Sequence, residues 1–234
     1  MSPAPLVGRV ALVAGASRGI GLAIAEVLQS AGAHVVRLAR SLQDAEADRR
    51  TDLACDLTRP EAVARAAGRV LESHGAPDIL VIAAGSFLLK PLTETTAAEF
   101  AQQVEANLTG PFAVLRAFVG PMQERGSGVV VTIGSIADHR PLPGNAAYAA
   151  GKFGLRGLHG VLAAELAGSG VRATLIAPGP VDTGMWDPVD PDARPGFTKR
   201  RDMLRAADVA EAVLFVATRP AHVVIPELFI EPRH

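Results

Sequence analysis

The sequence is poor in cysteine and in long apolar runs. Among its 234 residues only Cys55 carries a thiol, so an internal disulfide cannot form. No run of about 18 apolar residues is present to form a membrane-spanning helix. The N-terminus lacks the charged, apolar and small-residue order of a secretion signal. From these absences we expect a protein of the reducing cytoplasm, in which Cys55 is a small buried hydrophobe.

The chain also lacks an excess of charge of either sign. Its 23 Lys and Arg against 24 Asp and Glu give a formal net charge of -1. A nearly neutral chain has little attraction for a polyanion or an anionic surface, so we expect neither nucleic acid nor membrane as a partner. The six histidines are dispersed without metal-ligand spacing, and no cysteine pair accompanies them. We therefore expect no metal site.

Hydrophobic residues are abundant, at 49% of the chain, which is enough for a large core. Short apolar runs alternate with longer segments of helical character. The predicted strands are Arg9 to Ala14, His34 to Ala39, Asp52 to Cys55, Ile79 to Ala83, Val129 to Ile133 and Val171 to Ala177. The predicted helices are Ile20 to Ser30, Pro60 to Ser73, Ala97 to Val119, Tyr148 to Leu166 and Ala206 to Thr218.

The alternation predicts a parallel sheet. Two of the runs, "ILVIAAG" and "GVVVTIG", are continuously apolar, as expected for strands that are buried on both faces. The segment from His222 to Ile230 is interrupted by Pro226 and suits an edge strand, whereas Asp182 to Phe197 suits a mobile loop. The predicted fold class is α/β, a doubly wound (Rossmann-type), mostly parallel sheet with helices on both faces, and residues 1–234 form a single domain.

A glycine-rich turn follows the first predicted strand. It reads Gly15-Ala16-Ser17-Arg18-Gly19-Ile20-Gly21 and leads directly into an apolar-periodic helix, where backbone amides can face a phosphate. Its Gly-x-x-x-Gly-x-Gly spacing differs from the Gly-x-Gly-x-x-Gly dinucleotide fingerprint. A strand-to-helix turn in which glycine is merely convenient is the alternative.

Together with Ser135 and the pair Tyr148-x-x-x-Lys152, this turn resembles the short-chain dehydrogenase/reductase family over roughly Leu6 to Thr218. The resemblance implies a nicotinamide-dependent oxidoreductase with a small-molecule carbonyl or alcohol substrate. It also implies a homodimer or homotetramer that forms through the helices from Ala97 and Tyr148.

Tyr148 and Lys152 lie four residues apart in a predicted helix, which places both side chains on one face. A phenol titrates near pH 10, and we expect the ammonium of Lys152 to lower the pKa of Tyr148. Ser135, at the end of the fifth strand, can hydrogen-bond the substrate oxygen. The resemblance further implies that Lys152 bonds the nicotinamide ribose and that Asn107 orders water for a proton relay. A solvated helix pair is the alternative for the Tyr–Lys spacing alone.

The end of the second predicted strand bears on the choice of cofactor. Ala39 stands where NAD-preferring relatives have Asp, and Arg40 with Arg18 can clamp a 2′-phosphate, so NADP(H) is favoured over NAD(H). The alternative is that both arginines are solvated surface charges. Further cofactor contacts, implied by the resemblance, are Gly15, Ser17, Gly19, Ile20, Gly21, Asp56, Leu57, Ala83, Ala84, Gly85, Tyr148, Lys152, Pro178, Gly179 and Thr183.

Two parts of the sequence depart from the family pattern. Ala14 replaces a usual Thr, and Ile82-Ala83-Ala84-Gly85 replaces a usual Asn-Asn-Ala-Gly. We interpret this joint loss as the replacement of hydrogen bonds between the central strands by apolar packing.

Several residues outside these motifs have open interpretations. Arg140 either receives a substrate carboxylate or is a surface charge. Met185 and Trp186 either cover the substrate as an apolar lid or have a packing role. The run Lys199-Arg200-Arg201 is interpreted as a solvated face.

The leading functional prediction is an NADPH-dependent reductase of a ketone, aldehyde or keto-acyl compound, which can run in reverse as an alcohol dehydrogenase. A catalytically inactive nucleotide-sensing or scaffold protein of the same fold is the alternative. Serine or another small hydroxy acid is a further candidate substrate, and it depends only on Arg140.

Overall fold

A single large sheet organises the chain. The computed structural model describes residues 4–140 and 142–233, and within them eight strands pair in the order β10-β7-β6-β5-β1-β2-β4-β3. The strands are β1 Val10–Ala14, β2 His34–Ala39, β3 Ala45–Ala47, β4 Arg50–Ala54, β5 Ile79–Ile82, β6 Gly128–Ile133, β7 Val171–Pro178 and β10 Glu227–Ile230. Only β3 is antiparallel to its neighbour in this sheet; a separate parallel pair is β8 Val181–Asp182 with β9 Leu204–Arg205.

Helices cover both faces of the sheet. They are α1 Gly19–Ser30, α2 Pro60–His74, α3 Ala97–Val104, α4 Gly110–Arg125, α5 Ala146–Glu165 and α6 Ala206–Ala217. Because side chains alternate along a strand, Leu12 packs into the core under α2, α4 and α5, while Val13 packs into the core under α1 and α6. The doubly wound, mostly parallel α/β fold is therefore confirmed.

Two predicted elements differ most from the observed ones. The predicted helix Ala97 to Val119 is interrupted by a π-helical turn, Glu105–Thr109, and continues to Arg125. The last strand is only Glu227–Ile230, because Pro226 has no N–H and contributes just its carbonyl, which accepts a hydrogen bond from Leu175. That strand does occupy the sheet edge, as predicted.

At the two places where the sequence departs from the family pattern, apolar side chains pack together, as we interpreted from the sequence. Ala14 and Ile82 are fully buried in the same core cluster, and Ala83 N donates to Ala14 O at 2.9 Å. The central strands are thus joined by main-chain hydrogen bonds and apolar contact, and their carboxyl ends meet along one edge of the sheet.

Candidate active site

A cavity of about 630 Å³ lies at the carboxyl ends of the parallel strands, where ligands of doubly wound sheets bind. The structure brings every residue of the predicted site to its wall. They are Gly15, Ser17, Arg18, Gly19, Ile20 and Gly21 after β1, Arg40 after β2, Asp56 and Leu57 after β4, Ala83, Ala84 and Gly85 after β5, Ser135 after β6, Pro178, Gly179 and Thr183 at or after the end of β7, with Asn107, Tyr148 and Lys152 from helical segments.

The glycine turn meets two steric demands. Gly15 has φ of +90° and Gly19 has φ of +56°, a region that favours glycine. A Cβ on Gly15 would also lie 2.6 Å from the backbone of Ala84. The first turn of α1 contains no acidic residue, and Arg18 at its N-cap makes no side-chain capping bond. The first N–H groups of α1 therefore remain available to an anion in the cavity.

Two exposed arginines stand at the same end of the cavity. Arg18 and Arg40 line it, and neither makes an ion pair or a side-chain hydrogen bond within residues 4–140 and 142–233. Asp56 lies nearby. Burial opposes its ionisation, but hydrogen bonds from Thr58 and the charge of Arg40 outweigh this and hold its pKa below the usual range. The geometry leaves both guanidinium groups available to a ligand phosphate.

Tyr148 and Lys152 lie on successive turns of α5 and are both buried. Lys152 Nζ donates to the carbonyl of Ile133 at 2.8 Å and lies 5.9 Å from the centre of the Tyr148 ring. Ser135 directly follows β6, and its hydroxyl accepts from the N–H of Ala137 at 3.1 Å. The side chains of Ser135, Tyr148 and Lys152, which the sequence predicted to act together, thus lie next to one another at the end of β6.

The expected effect of Lys152 on the pKa of Tyr148 is not found. Burial raises the pKa of Tyr148 to about 12, and a side-chain interaction with Ser135 offsets this only in part. Burial likewise lowers the pKa of Lys152 to about 8. Loss of hydration disfavours the charged form of each group and is the largest effect on both pKa values. The Tyr148 phenol is therefore protonated at neutral pH.

This pKa can be measured directly, because Tyr148 is the only tyrosine of the chain. We expect the ultraviolet phenolate band to appear well above the free value of about 10, toward about 12, since burial favours the neutral phenol. The Tyr148→Phe variant supplies the baseline, and denatured protein should titrate near the free value. A midpoint at or below about 10 in the folded protein would contradict the assignment.

Asn107 is fully buried in the π-helical turn between α3 and α4. Its Nδ2 donates to the carbonyls of Ser86 and Gln103, each at 2.9 Å, and its Oδ1 accepts from Ser86 N at 3.3 Å. A Cβ on Gly85 would lie 2.7 Å from that oxygen and 3.7 Å from Lys152 Nζ. The absence of a side chain at Gly85 thus lets the Asn107 amide approach Lys152.

Sequence reasoning missed a buried carboxylate behind Ser135. Asp138 Oδ2 accepts from Ser135 N at 3.1 Å and completes a capping box with the serine. Asp138 also pairs with His139 and lies 3.8 Å from Arg156, which in turn pairs with Glu227 on the edge strand β10. Burial raises the pKa of Asp138. The Ser-x-x-Asp spacing was the available sequence signal for this cap.

Phe87 was also missed. Its ring lies edge-on to Tyr148, with centroids 5.0 Å apart at 82°, and 5.1 Å from the ring of Trp186. Met185 and Trp186 both line the cavity beside it. Their position agrees with the predicted apolar cover over the substrate, whereas motion of the loop stays a prediction. No sequence motif marks Phe87, because only the fold brings it to Tyr148.

Of the two interpretations open for Arg140, the surface charge is confirmed: its side chain is 57% exposed, pairs with Glu231 and does not line the cavity, which removes the basis for a hydroxy-acid substrate. The interpretation of Lys199-Arg200-Arg201 as a solvated face was wrong for Arg200. Arg200 is not a solvated charge, because it bonds Asp182 and the carbonyl of Thr183 through one nitrogen and Asp187 through the other. Lys199 Nζ also donates to loop carbonyls, the shortest to Asp192 at 2.8 Å. The pair fixes the loop that carries Trp186.

Other features of the described residues are simpler. Cys55 is buried, as predicted, and burial raises the pKa of its thiol. Over residues 4–140 and 142–233 no cluster of three or more His, Cys, Asp or Glu side chains could hold a metal ion. In those same ranges no helix has the length and apolar character needed to cross a membrane.

Known proteins resemble this chain in sequence and in architecture. The family model for short chain dehydrogenase matches residues 9–194. The 3-oxoacyl-(acyl-carrier-protein) reductase MabA of Mycobacterium avium is 37% identical over 218 residues, which cover 92% of this chain and 85% of the relative. Glycine betaine reductase ATRR of Emericella nidulans is 34% identical over 245 residues, 98% of this chain, and the chain spans only 19% of that protein.

A solved structure gives the same result. The crystal structure of a metagenomic short-chain oxidoreductase in complex with NADP has a TM-score of 0.81 and 33% identity, covering 98% of this chain and 99% of that one. The glycine turn, the doubly wound sheet and the matched sequences agree, and the chain belongs to the short-chain dehydrogenase/reductase family of oxidoreductases.

Proposed function

We propose that the chain is an NADPH-dependent carbonyl reductase, acting on a ketone, aldehyde or keto-acyl compound and running in reverse as an alcohol dehydrogenase. One observation carries the proposal: Ser135, Tyr148, Lys152 and Asn107 line the same cavity as the glycine turn. The 3-oxoacyl reductase among the relatives supports the reaction class. In this proposal residues 1–234 act as one domain that binds the dinucleotide and carries out the reaction, and the protein works in the cytoplasm.

The residues that line the cavity fit the phosphate groups of a nicotinamide dinucleotide that carries a 2′-phosphate. The N–H groups at the start of α1 would hold the pyrophosphate, and Arg18 and Arg40 would hold the 2′-phosphate. Ala39 brings no carboxylate to repel that phosphate. Asp56 and Leu57 would contact the adenine, while Thr183, Pro178 and Gly179 lie where the nicotinamide amide would be held. When bound, the reduced cofactor supplies a hydride to the carbonyl carbon.

The protein's own groups would manage the proton. The Ser135 hydroxyl donates a hydrogen bond to the carbonyl oxygen and polarises it, and the Tyr148 hydroxyl gives its proton to that oxygen as negative charge develops there. The resulting phenolate is stabilised by the ammonium of Lys152 on the next turn of α5. Asn107 would order the water through which Tyr148 recovers a proton from solvent. Asp138 holds the backbone of Ser135 in place throughout.

We also propose assembly into a homodimer or homotetramer through α3, α4 and α5. Large apolar side chains stand exposed on these helices, namely Phe100, Phe112, Phe153 and Val161. Exposed apolar side chains on helices that contact one another, as α3 and α5 do, favour an association surface. A monomer in sedimentation velocity at micromolar concentration would contradict this assembly.

The reductase proposal is tested by following the loss of reduced-nicotinamide absorbance with NADPH, then NADH, against a panel of ketones, aldehydes and keto-acyl thioesters. We expect NADPH to be consumed with at least one panel class, and NADH much more slowly. Binding of NADPH without any turnover would favour the sensing alternative. Failure to bind either cofactor would overturn the proposal.

A further inference from the structure

The cavity has an aromatic wall next to the catalytic tyrosine. Phe87 lies edge-on to Tyr148, Trp186 packs on Phe87, and Trp186 is supported from behind by Phe197 at 6.5 Å between ring centroids. We call Phe87 and Trp186 the aromatic wall. Leu142 and Met185 also line the cavity, and they are 42% and 39% exposed. This much accessible apolar surface beside the reacting groups can be buried by an apolar ligand.

Hydrogen bonds and ion pairs support the segment that carries Trp186. Trp186 N donates to the Thr183 carbonyl at 3.1 Å, and Arg200 binds that same carbonyl together with Asp182 and Asp187 on either side. The parallel pairing of β8 with β9 anchors the start of this segment. A supported segment has less conformational freedom to lose when a ligand binds.

Charge is distributed unevenly along the cavity. Among its described lining residues, Arg18, Arg40 and Asp56 lie at the end with the glycine turn, and Lys152 is bonded to Ile133 beside Tyr148. The remaining charged lining residue, Glu105, is an acid.

Three further basic residues, none of which lines the cavity, are already ion-paired. Arg200 is held by two aspartates, Arg140 by Glu231, and Lys90 by Glu99. The lining cation on the Tyr148 side, Lys152, is already hydrogen-bonded to the Ile133 carbonyl. A substrate carboxylate placed against the wall would therefore lose its hydration without a free counter-ion beside it, which is costly.

From these two observations we propose that the enzyme selects uncharged aromatic carbonyl compounds, typified by aryl ketones, whose ring lies against Phe87 and Trp186 while the carbonyl oxygen faces Ser135 and Tyr148. The inference rests on the proposed reductase function and names its substrate class. It separates this chain from enzymes that recognise a keto acid through a cation. The contacts are ring against ring, which stabilises an aryl group more than a saturated ring of similar size.

A matched set of substrates tests the charge requirement. Methyl 4-acetylbenzoate and 4-acetylbenzoate share the ketone and the ring and differ in charge. We expect kcat/KM with NADPH to be at least about tenfold higher for the ester, because the acid must bury an unpaired carboxylate. Equal or better turnover of the acid would overturn the inference.

A matched set of variants tests the ring contacts. In Phe87→Leu and Trp186→Leu we expect kcat/KM for acetophenone to fall roughly tenfold through KM, with less than about a threefold change for cyclohexyl methyl ketone. Phe215→Leu, at an exposed phenylalanine of α6 beyond the cavity, is the control and should change neither value. An equal fall for both ketones would show that the wall supplies only volume, against the proposal.

Binding can be followed without turnover, because Trp186 is the only tryptophan of the chain. Methyl mandelate should quench or shift its fluorescence at concentrations at least about tenfold below those needed for mandelate. If no carbonyl compound is reduced but methyl mandelate binds in this way, the pocket assignment stands and the reductase function fails. If reduction occurs and Trp186 responds to neither ester nor acid, the reductase function stands and the aromatic inference fails.

Discussion

Replacing Tyr148 with phenylalanine should abolish carbonyl reduction while NADPH remains bound. The change deletes the hydroxyl that gives its proton to the substrate oxygen, and general acids of this kind contribute roughly 10²–10⁴-fold. We expect kcat to fall by about 10³-fold with the Kd of NADPH changed less than about threefold. Single-turnover NADPH oxidation at saturating ketone is the measurement, with cofactor fluorescence for binding.

The variant is well suited to this test because it keeps the ring. Tyr148 packs edge-on against Phe87, and a phenylalanine preserves that contact together with the apolar surroundings. Circular dichroism and the melting temperature serve as the check on folding. Residual activity within about tenfold of the parent would show that another group donates the proton. Ser135→Ala should retain the phenol and lose less, since it removes one hydrogen-bond donor to the developing charge.

The sequence was sufficient to predict which residues line the cavity, in part because its spacing reflects local geometry. A four-residue separation on a helix places Tyr148 and Lys152 on one face whatever surrounds them. Residues that follow parallel strands, such as Ser135 and Gly15, must gather at one edge of the sheet once the strands are recognised. The other residues of the cavity wall, Asn107 among them, were predicted from the resemblance to the short-chain dehydrogenase/reductase family.

The features that sequence did not predict depend on contacts between distant segments. Phe87 contacts Trp186 only because of the fold, and Arg140 is hydrogen-bonded to Glu231, which lies 91 positions further along the chain. Burial also depends on the whole molecule. Because burial raises the pKa of Tyr148, the lowered pKa that we predicted from the sequence was wrong. The π-helical turn around Asn107 shows no sequence signal comparable to a glycine or proline break.

Removing the two exposed arginines should abolish the preference for NADPH. In the double variant Arg18→Ala/Arg40→Ala we expect the Kd of NADPH to rise about 100-fold and that of NADH to change less than about threefold, because hydrogen bonds to charged groups contribute about 1.5–3 kcal/mol each before solvent screening. Fluorescence titration with both cofactors is the measurement. Arg201→Ala is the matched control, since Arg201 is 85% exposed and does not line the cavity.

Two further observations separate a phosphate clamp from general surface charge. The NADPH preference of the parent should weaken as salt rises, because exposed charges are screened over about 8–10 Å near physiological ionic strength. Adding Ala39→Asp to the double variant should then favour NADH outright, since a carboxylate at the end of β2 accepts the ribose hydroxyls and repels a 2′-phosphate. If the double variant binds NADPH as tightly as the parent, both arginines are solvated and the cofactor preference must come from the backbone of the glycine turn.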